Sequence, residues 1–343
     1  MRLPDTKIPT RLVGPIAIKG NELTRAVNAP LATLETPLWY SVGRGAKVTR
    51  AENGLLVTLV QESMTRSVLF ETQNAKLAVD IINQLPQQRE HMQALVSASS
   101  RFTRLVDWHT QIVGNLIFIR FSFKTGGAAG HNMATKAAEI LQIWLLKKYP
   151  QLRYLSVSGN YCADKKNSAV NGILGRGKYV IAELTISREV CSEVLRVTPE
   201  QLVELNLKKN LIGSIIAGGV RTANAHFANM LLAFYLATGQ DAANIVEGSQ
   251  GITQAEVKGD QLYFAVTLPN LIVGAVGGSS SSKAIRTELQ GLEFMREESL
   301  EQQSRILAVI AAATVWCGEL SLLAAQCNPG ELVDSHLRLE RGS

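Results

Sequence analysis

Few residues in this chain are of the kinds that staple a fold, span a bilayer or track a polyanion. The four cysteines, Cys162, Cys191, Cys317 and Cys327, show no CxxC spacing. A chain of 343 residues can build a core without cross-links, so reduced thiols and no zinc or other metal are expected. Aromatics make up only 6% of residues and no basic run exceeds two, which argues against a nucleic-acid channel, where cations and stacking rings alternate. The longest apolar stretch, Ile306 to Cys317, is shorter than the roughly 20 residues of a spanning helix. The opening MRLPDTKIPTR lacks an apolar signal core. A cytoplasmic protein with neither membrane nor nucleic-acid partners is the expectation.

What is present is the composition of a globular enzyme of α/β or α+β class, with 46% hydrophobic and 19% charged residues. The length favours one large domain and a smaller one. The net charge of +6 is a modest excess that suits phosphorylated small ligands.

Short β-like runs, RLVGPIAIKG, LWYSVGRGAKV and GLLVTLV, alternate with turn signals in the first part of the chain. LIFIRFSF then predicts a strand, TGGAAG a turn, and HNMATKAAEILQIWLLKKY a helix, because Ala137, Ile140, Leu141, Trp144 and Leu145 recur at helical spacing. LRYLSVS and KYVIAELTI predict two more strands, joined by SGNYCADKKNSAVNGILGRG. Helices are expected over VTPEQLVELNL, over TANAHFANMLLAFYLATG with Gly239 as its stop, and from about Glu298 to Cys327 before Asn328-Pro329-Gly330.

Taken singly, the chemical candidates divide between functional and ordinary roles. TGGAAG offers free N–H groups at a helix start, but its glycines at 126, 127 and 130 do not make the G-x-G-x-x-G fingerprint, and a turn for close packing explains them equally. GAVGGSSSS from Gly274 reads as a flexible connection. His226 fits a hydrogen-bonded core histidine, Asp241 an N-cap, and Lys165 and Lys166 a solvated loop face. Glu35 is either a buried carboxyl of raised pKa or a half-exposed strand residue. His336, in a tail beyond the Pro-Gly stop, is placed to close over a site or is a surface histidine.

Order and spacing together narrow the choice. SGNYCADKKNSAVNGILGRGK, LATLETPLWYSVGRGAKV, ESMTRS, SSRFTRL, TGGAAGHNMATKA, KKNLIGSIIAGG, NAHFANMLLAFYLATGQDAANIVEGS, GAVGGSS and LVDSH resemble, in order, the blocks of hydroxymethylglutaryl-CoA reductases, in particular the class I catalytic domain. The resemblance implies a large α/β substrate domain over residues 1–67 and 170–343, an inserted ferredoxin-like NADP-binding domain over 68–156 and a connecting active-site loop over 157–169. It implies reduction of 3-hydroxy-3-methylglutaryl-CoA to mevalonate and CoA with two NADPH, through a hemithioacetal and mevaldehyde. It also implies a homodimer or dimer of dimers with active sites between subunits.

Carried over by motif, the catalytic residues are Glu35, Lys165, Asp241 and His336. Arg66, Ser158, Asn160, Asp164, Lys166, Lys209 and Asn229 would hold the hydroxymethylglutaryl group, and Arg44 and Lys47 the CoA phosphates. Ser100 and Arg101 match the pair that meets the extra phosphate of NADPH, and Gly127, Gly130, Asn132, Met133, Gly274, Val276, Gly277 and Gly278 match the cofactor segments. Lys165 is expected as a buried ammonium against the reacting oxygen.

The chain departs from the family pattern in places. Gly127 and His131 stand in the cofactor turn where an aspartate and a methionine are usual; Thr36-Pro37 and Ser279 also differ. Two rival readings follow, a silent CoA-thioester binder and an NAD-dependent oxidative enzyme of mevalonate breakdown. Ser100-Arg101 argues against the second.

Overall fold

A computed structural model describes residues 6–276 and 292–340, with the backbone alone for Ser335, His336 and 338–340. Gly277, Gly278 and Ser279 lie outside the described residues. The first apolar runs pair as an antiparallel hairpin, β1 (Thr10–Gly20) with β2 (Arg25–Ala32).

The next run departs from the sequence expectation. LWYSVGRGAKV is not a strand but the body of helix α1 (Pro37–Ala51). Pro37 occupies the first turn, where its missing N–H costs nothing. Leu38, Val42 and Ala46 recur every four residues and enter the core. The glycines that suggested a turn serve packing instead: a Cβ on Gly45 would lie 2.2 Å from the carbonyl oxygen of Cys317, so only glycine lets the two helices approach so closely.

Strand β3 (Leu55–Glu71) organises the rest, because its two halves belong to different layers. Its first half runs parallel to β1 and antiparallel to β7 (Gly177–Ile186), and β7 continues to β9 (Gln261–Leu271) and β8 (Ile252–Lys258). The result is a mixed sheet in the order β2-β1-β3-β7-β9-β8. From Met64 onward β3 pairs instead with β5 (Leu116–Lys124), which pairs with β4 (Arg104–Val113), and on its other edge with β6 (Arg153–Ser156).

Two hydrophobic clusters follow this division. Helices α2 (Ala75–Ile82), α3 (Arg89–Ser99) and α4 (His131–Lys148) cover the second half, where Ile117, Ile119, Phe121 and Phe123 alternate into the core. Between β6 and β7 lies the short α5 (Ala169–Leu174), and α6 (Pro199–Leu205) opens with Thr198 and Gln201 in a reciprocal capping box.

The first half is covered by α1, by α7 (Phe227–Ala237) and by α8 (Leu300–Cys327). Helix α8 corrects the estimate based on Ile306–Cys317: its 28 residues are long and apolar enough to cross a bilayer, yet 94% of its apolar window is buried inside the fold. Each of its large aliphatic or aromatic residues, such as Leu307, Ile310 and Trp316, stabilises the core by about 1.5–3 kcal/mol. Helix α9 (Glu331–Glu340) follows the Asn328-Pro329-Gly330 break.

Candidate active site

The loop between β6 and α5 holds its shape at a conformational cost. Asn160, Ala163 and Lys165 all have positive φ, at 59°, 46° and 54°, where a side chain is strained by roughly 1 kcal/mol or more. Burial of Cys162 and Ala163 anchors the loop. The Lys165 N–H donates to Glu247 Oε1 at 3.1 Å, a carboxylate that is fully buried and also bound by the Arg176 guanidinium at 2.7 Å. Burial pushes the Glu247 carboxyl above its ordinary pKa.

This frame presents the Lys165 ammonium to Asp241, at 2.9 Å. The hydrogen bond to Asp241 raises the Lys165 pKa, and the same bond lowers that of Asp241. Asp241 is also the N-cap that its place after Gly239 predicts, accepting the Ala243 N–H at 3.1 Å. The Lys165 side chain is 41% exposed in the single chain, not buried as expected, because it projects from a loop with the Asp241 carboxylate as its side-chain partner.

Asp164 is the hub of the neighbouring group. Its carboxylate lies 2.9 Å from Arg176 Nη2, 3.6 Å from His131 Nε2 and 3.9 Å from Arg66 Nη2. Arg66 reaches Ser158 Oγ at 3.3 Å, and Lys166 folds back on the Asp164 carbonyl at 3.1 Å. Arg66 Nε and Ser67 Oγ are buried without a hydrogen-bond partner among the described residues, which fits a polar ligand here. His131, whose pKa is lowered by burial and by Arg176, also lies 3.2 Å from Asn244 Oδ1. Through it the start of α4 is tied to the loop.

Glu35 belongs to a second group. It is half-buried in the turn before α1, where Asn229 donates to it at 3.1 Å. Asn229 lies in the first turn of α7 and Asp241 just beyond its last, so Glu35 and Lys165 stand at opposite ends of a helix about 16 Å long. Among the described residues no hydrogen bond or ion pair joins them. His226 precedes α7 rather than lying within it, with Nε2 3.0 Å from the Gly318 carbonyl; it is the hydrogen-bonded histidine expected. Lys209 donates to Asn210 Oδ1 at 3.2 Å, and burial lowers its pKa.

Beside Glu35 opens a cleft of about 750 Å³ lined by Arg44, Lys47, Arg196, His226 and Glu331. Arg44 is not free: Glu331 pairs with it at 2.6 Å, and Ser321 accepts from it through both Oγ and its carbonyl. Helix α9 therefore forms one wall of the cleft through Glu331, Leu332 and Asp334. The backbone of His336 lies on this helix.

The two glycine segments meet. Ala275 and Val276 donate to the Gly127 carbonyl, and Ala128 bridges Val276. Several of these glycines are dictated by packing: a Cβ on Gly274 would lie 2.3 Å from the Ala129 nitrogen, one on Gly127 2.5 Å from the Leu300 carbonyl, and Gly130 has φ +93°. Asn132 is exposed and Met133 half-buried in the first turn of α4. The free N–H groups there suit an anionic or amide-bearing ligand. Ser100 caps its own turn, accepting the Phe102 and Thr103 N–H groups, and Arg101 is exposed beside it. Phe102 lies 3.6 Å from the Cβ position of Gly126, and Arg104 pairs in register with Lys124. Exposed cations next to an open helix start fit a phosphate-bearing dinucleotide.

The sequence reading missed Arg176, Glu247, Arg196 and Glu319. Arg176 lies within the SGNYCADKKNSAVNGILGRGK block and Glu247 within NIVEGS. Glu319 is the one charged residue from Ile306 to Ala325, a signal in itself, since a carboxylate in such a run needs buried partners.

The profile of the hydroxymethylglutaryl-coenzyme A reductase family matches residues 3–341. The chain belongs to that family. It is 41% identical over 325 residues to the 3-hydroxy-3-methylglutaryl-coenzyme A reductase of Pyrococcus horikoshii, covering 93% of this chain and 78% of that one. It is 40% identical over 343 residues to 3-hydroxy-3-methylglutaryl-coenzyme A reductase 1 of Oryza sativa subsp. japonica, covering 98% of this chain and 64% of the relative. The chain thus spans less than two thirds of the rice protein. The class II 3-hydroxy-3-methylglutaryl-CoA reductase from Streptococcus pneumoniae, bound to NADPH in open conformations, shares the reductase fold with a TM-score of 0.74 at 19% identity, covering 95% of this chain and 86% of that one.

Proposed function

We propose that this family member reduces 3-hydroxy-3-methylglutaryl-CoA to mevalonate and free CoA, consuming two NADPH. The observation that carries the reading is the Lys165–Asp241 ion pair at 2.9 Å, mounted on a strained loop beside the Asp164 cluster. A thioester becomes an alcohol through two hydride additions, and each leaves negative charge on the same oxygen. A preplaced cation lowers both barriers.

In this reading Lys165 meets that oxygen, and Asp241 holds the ammonium aimed at it. Arg66, Ser158, Asn160, Asp164, Lys166, Lys209 and Asn229 bind the hydroxymethylglutaryl group. Glu35 supplies the proton that each alkoxide needs. When the hemithioacetal collapses, its hydroxyl proton returns to Glu35 as the C–S bond breaks, and His336 on α9 protonates the departing thiolate of CoA, so the two reductions take up two protons in all. Arg44 and Lys47 take the CoA phosphates, joined by Arg196 on the same cleft.

NADPH, when bound, supplies the hydrides. Ser100 and Arg101 hold its extra phosphate, where a guanidinium fork suits the phosphate oxygens, and Arg104 and Lys124 add charge beside them. The first turn of α4 at Asn132 and Met133, with the Gly127–Gly130 turn and Gly274–Val276, forms the rest of the cradle; Gly277 and Gly278 are assigned to it by motif alone.

We further infer that residues 68–156 act as a ferredoxin-like cofactor unit between the two parts of the substrate domain, 1–67 and 170–343. The chain order β3-α2-α3-β4-β5-α4-β6 and the strand order β6-β3-β5-β4 support this, as they follow a split βαβ plan. The separation of Glu35 from Lys165 supports an active site shared by two subunits. Loss of reduced-cofactor absorbance with hydroxymethylglutaryl-CoA tests the activity: NADPH should be consumed faster than NADH, and no consumption of either would refute it.

A further inference from the structure

We propose that Glu319 is a positioning residue that holds Lys209 and Asn229 in place from behind the substrate site. The assignment rests on the reading above for what those two residues bind. Glu319 is fully buried in α8, within a run that carries no other charge. A carboxylate in such a place is costly unless donors surround it.

Four donors do. Its Oε1 accepts the Ala225 N–H at 2.6 Å, the Thr253 hydroxyl at 3.0 Å and the Asn210 amide at 3.4 Å, and its Oε2 accepts the His226 N–H at 3.0 Å. The Ala225 and His226 groups immediately precede α7. A buried anion here takes the N–H groups of Ala225 and of the N-cap His226, while Phe227 N–H is met by Asn224 Oδ1, and it matches the dipole at the start of this 11-residue helix. Asn229, three residues on from His226, is fixed by this anchor where it meets Glu35.

The other arm runs to Lys209. Asn210 gives its amide N–H groups to Glu319 and to Asn206 Oδ1 at 2.8 Å, and Asn206 in turn donates to the Thr253 carbonyl at 3.2 Å. With its nitrogen committed, the Asn210 amide turns its oxygen to Lys209 Nζ at 3.2 Å. Glu319 and Asn206 Oδ1 together therefore set which way that amide faces. Residues Asn206–Gly213 follow wide π-helical turns, a form concentrated at functional sites. Burial pulls the Lys209 pKa down, and the charge of Glu319 opposes that fall.

Glutamine at this position keeps the shape but turns an NH2 toward a donor and removes the charge. Competitive labelling of lysines by acetic anhydride across pH, read at the Lys209 peptide by mass spectrometry, measures the coupling without turnover. In Glu319→Gln the Lys209 midpoint should move to lower pH. The KM for hydroxymethylglutaryl-CoA should rise roughly tenfold or more, the scale of one hydrogen bond to a charged group, with the KM for NADPH within about twofold.

Thr253→Val separates charge from packing, since it removes one donor and keeps the carboxylate. It should lower thermal stability and leave the midpoint in place. An unmoved midpoint in Glu319→Gln, an equal shift in Thr253→Val, or equal rises in both KM values would overturn the proposal. If Glu319→Gln does not fold, Asn210→Ala cuts the relay and leaves the other donors in place; a selective rise in the thioester KM supports the proposal and an unchanged value refutes it. If the wild type turns over no hydroxymethylglutaryl-CoA, the functional reading falls, and the labelling comparison still decides the role of Glu319.

Discussion

Asp241 uses its two oxygens for two tasks: one lies 2.9 Å from Lys165 Nζ and the other accepts the Ala243 N–H at 3.1 Å. The carboxylate is thus held by the backbone turn it caps, and the ammonium is held by the carboxylate. Asp241→Asn keeps an acceptor for the turn and loses the charge. The Lys165 pKa then falls toward its ordinary 10.5, still well above neutrality, so the ammonium stays charged but loses its aim. A fall in kcat of roughly tenfold or more is expected, with little change in Tm. An unchanged kcat in steady-state assays contradicts the role.

Arg101 is exposed beside the Ser100 turn, its guanidinium over the exposed Phe102 ring at 5.6 Å, so removing its side chain disturbs no buried packing. In Arg101→Ala the preference for NADPH over NADH should fall by roughly 10- to 100-fold, the scale of a charge-assisted contact. The ratio of kcat/KM for the two cofactors checks this. An unchanged ratio transfers phosphate recognition to Arg104 and Lys124.

His131 gives a pH signature. Burial and the nearby Arg176 hold its pKa below 6.5, so the unfolded chain takes up this proton at higher pH than the folded one. The contribution to stability is whole above pH 6.5 and is lost as pH falls below it. Against His131→Gln, which keeps a donor for Asn244, the wild type should lose Tm on acidification from about pH 7 to about pH 5. Parallel Tm curves for the two proteins would show that His131 does not carry this dependence.

The Arg44–Glu331 pair at 2.6 Å occupies the guanidinium assigned to the CoA phosphates. Glu331→Gln weakens the competitor, so the KM for hydroxymethylglutaryl-CoA should fall severalfold, whereas Arg44→Ala should raise it roughly tenfold. Free mevaldehyde, which carries no CoA, should be reduced equally well by all three proteins. A parallel effect on mevaldehyde would place Arg44 elsewhere.

Much of the fold was legible where one period dominates. Strand β5 alternates Ile117, Ile119, Phe121 and Phe123, and α4 repeats at helical spacing. Helix α1 was not, because Gly43 and Gly45 resemble turn residues until the backbone of Cys317 is known to press against Gly45. The Asp241 cap could be read locally from Gly239-Gln240, but its pairing with Lys165, 76 positions away, depends on how β6, α5 and α7 pack. Arg176, Glu247 and Glu319 escaped notice for a related reason. Their work is done through buried hydrogen bonds between distant segments, which no local spacing encodes. Likewise the opposite placement of Glu35 and Lys165 is set by the length of α7 and not by either motif.

The central claim is that the Lys165 ammonium meets the oxygen on which charge develops in both reductions. Purified wild type and Lys165→Met should be compared for NADPH oxidation and thiol release with hydroxymethylglutaryl-CoA, and for NADPH oxidation with free mevaldehyde. The account predicts that the wild type oxidises two NADPH per thiol released and that the variant loses roughly a hundredfold or more in kcat on both substrates. Wild-type turnover retained by Lys165→Met on either substrate would contradict it.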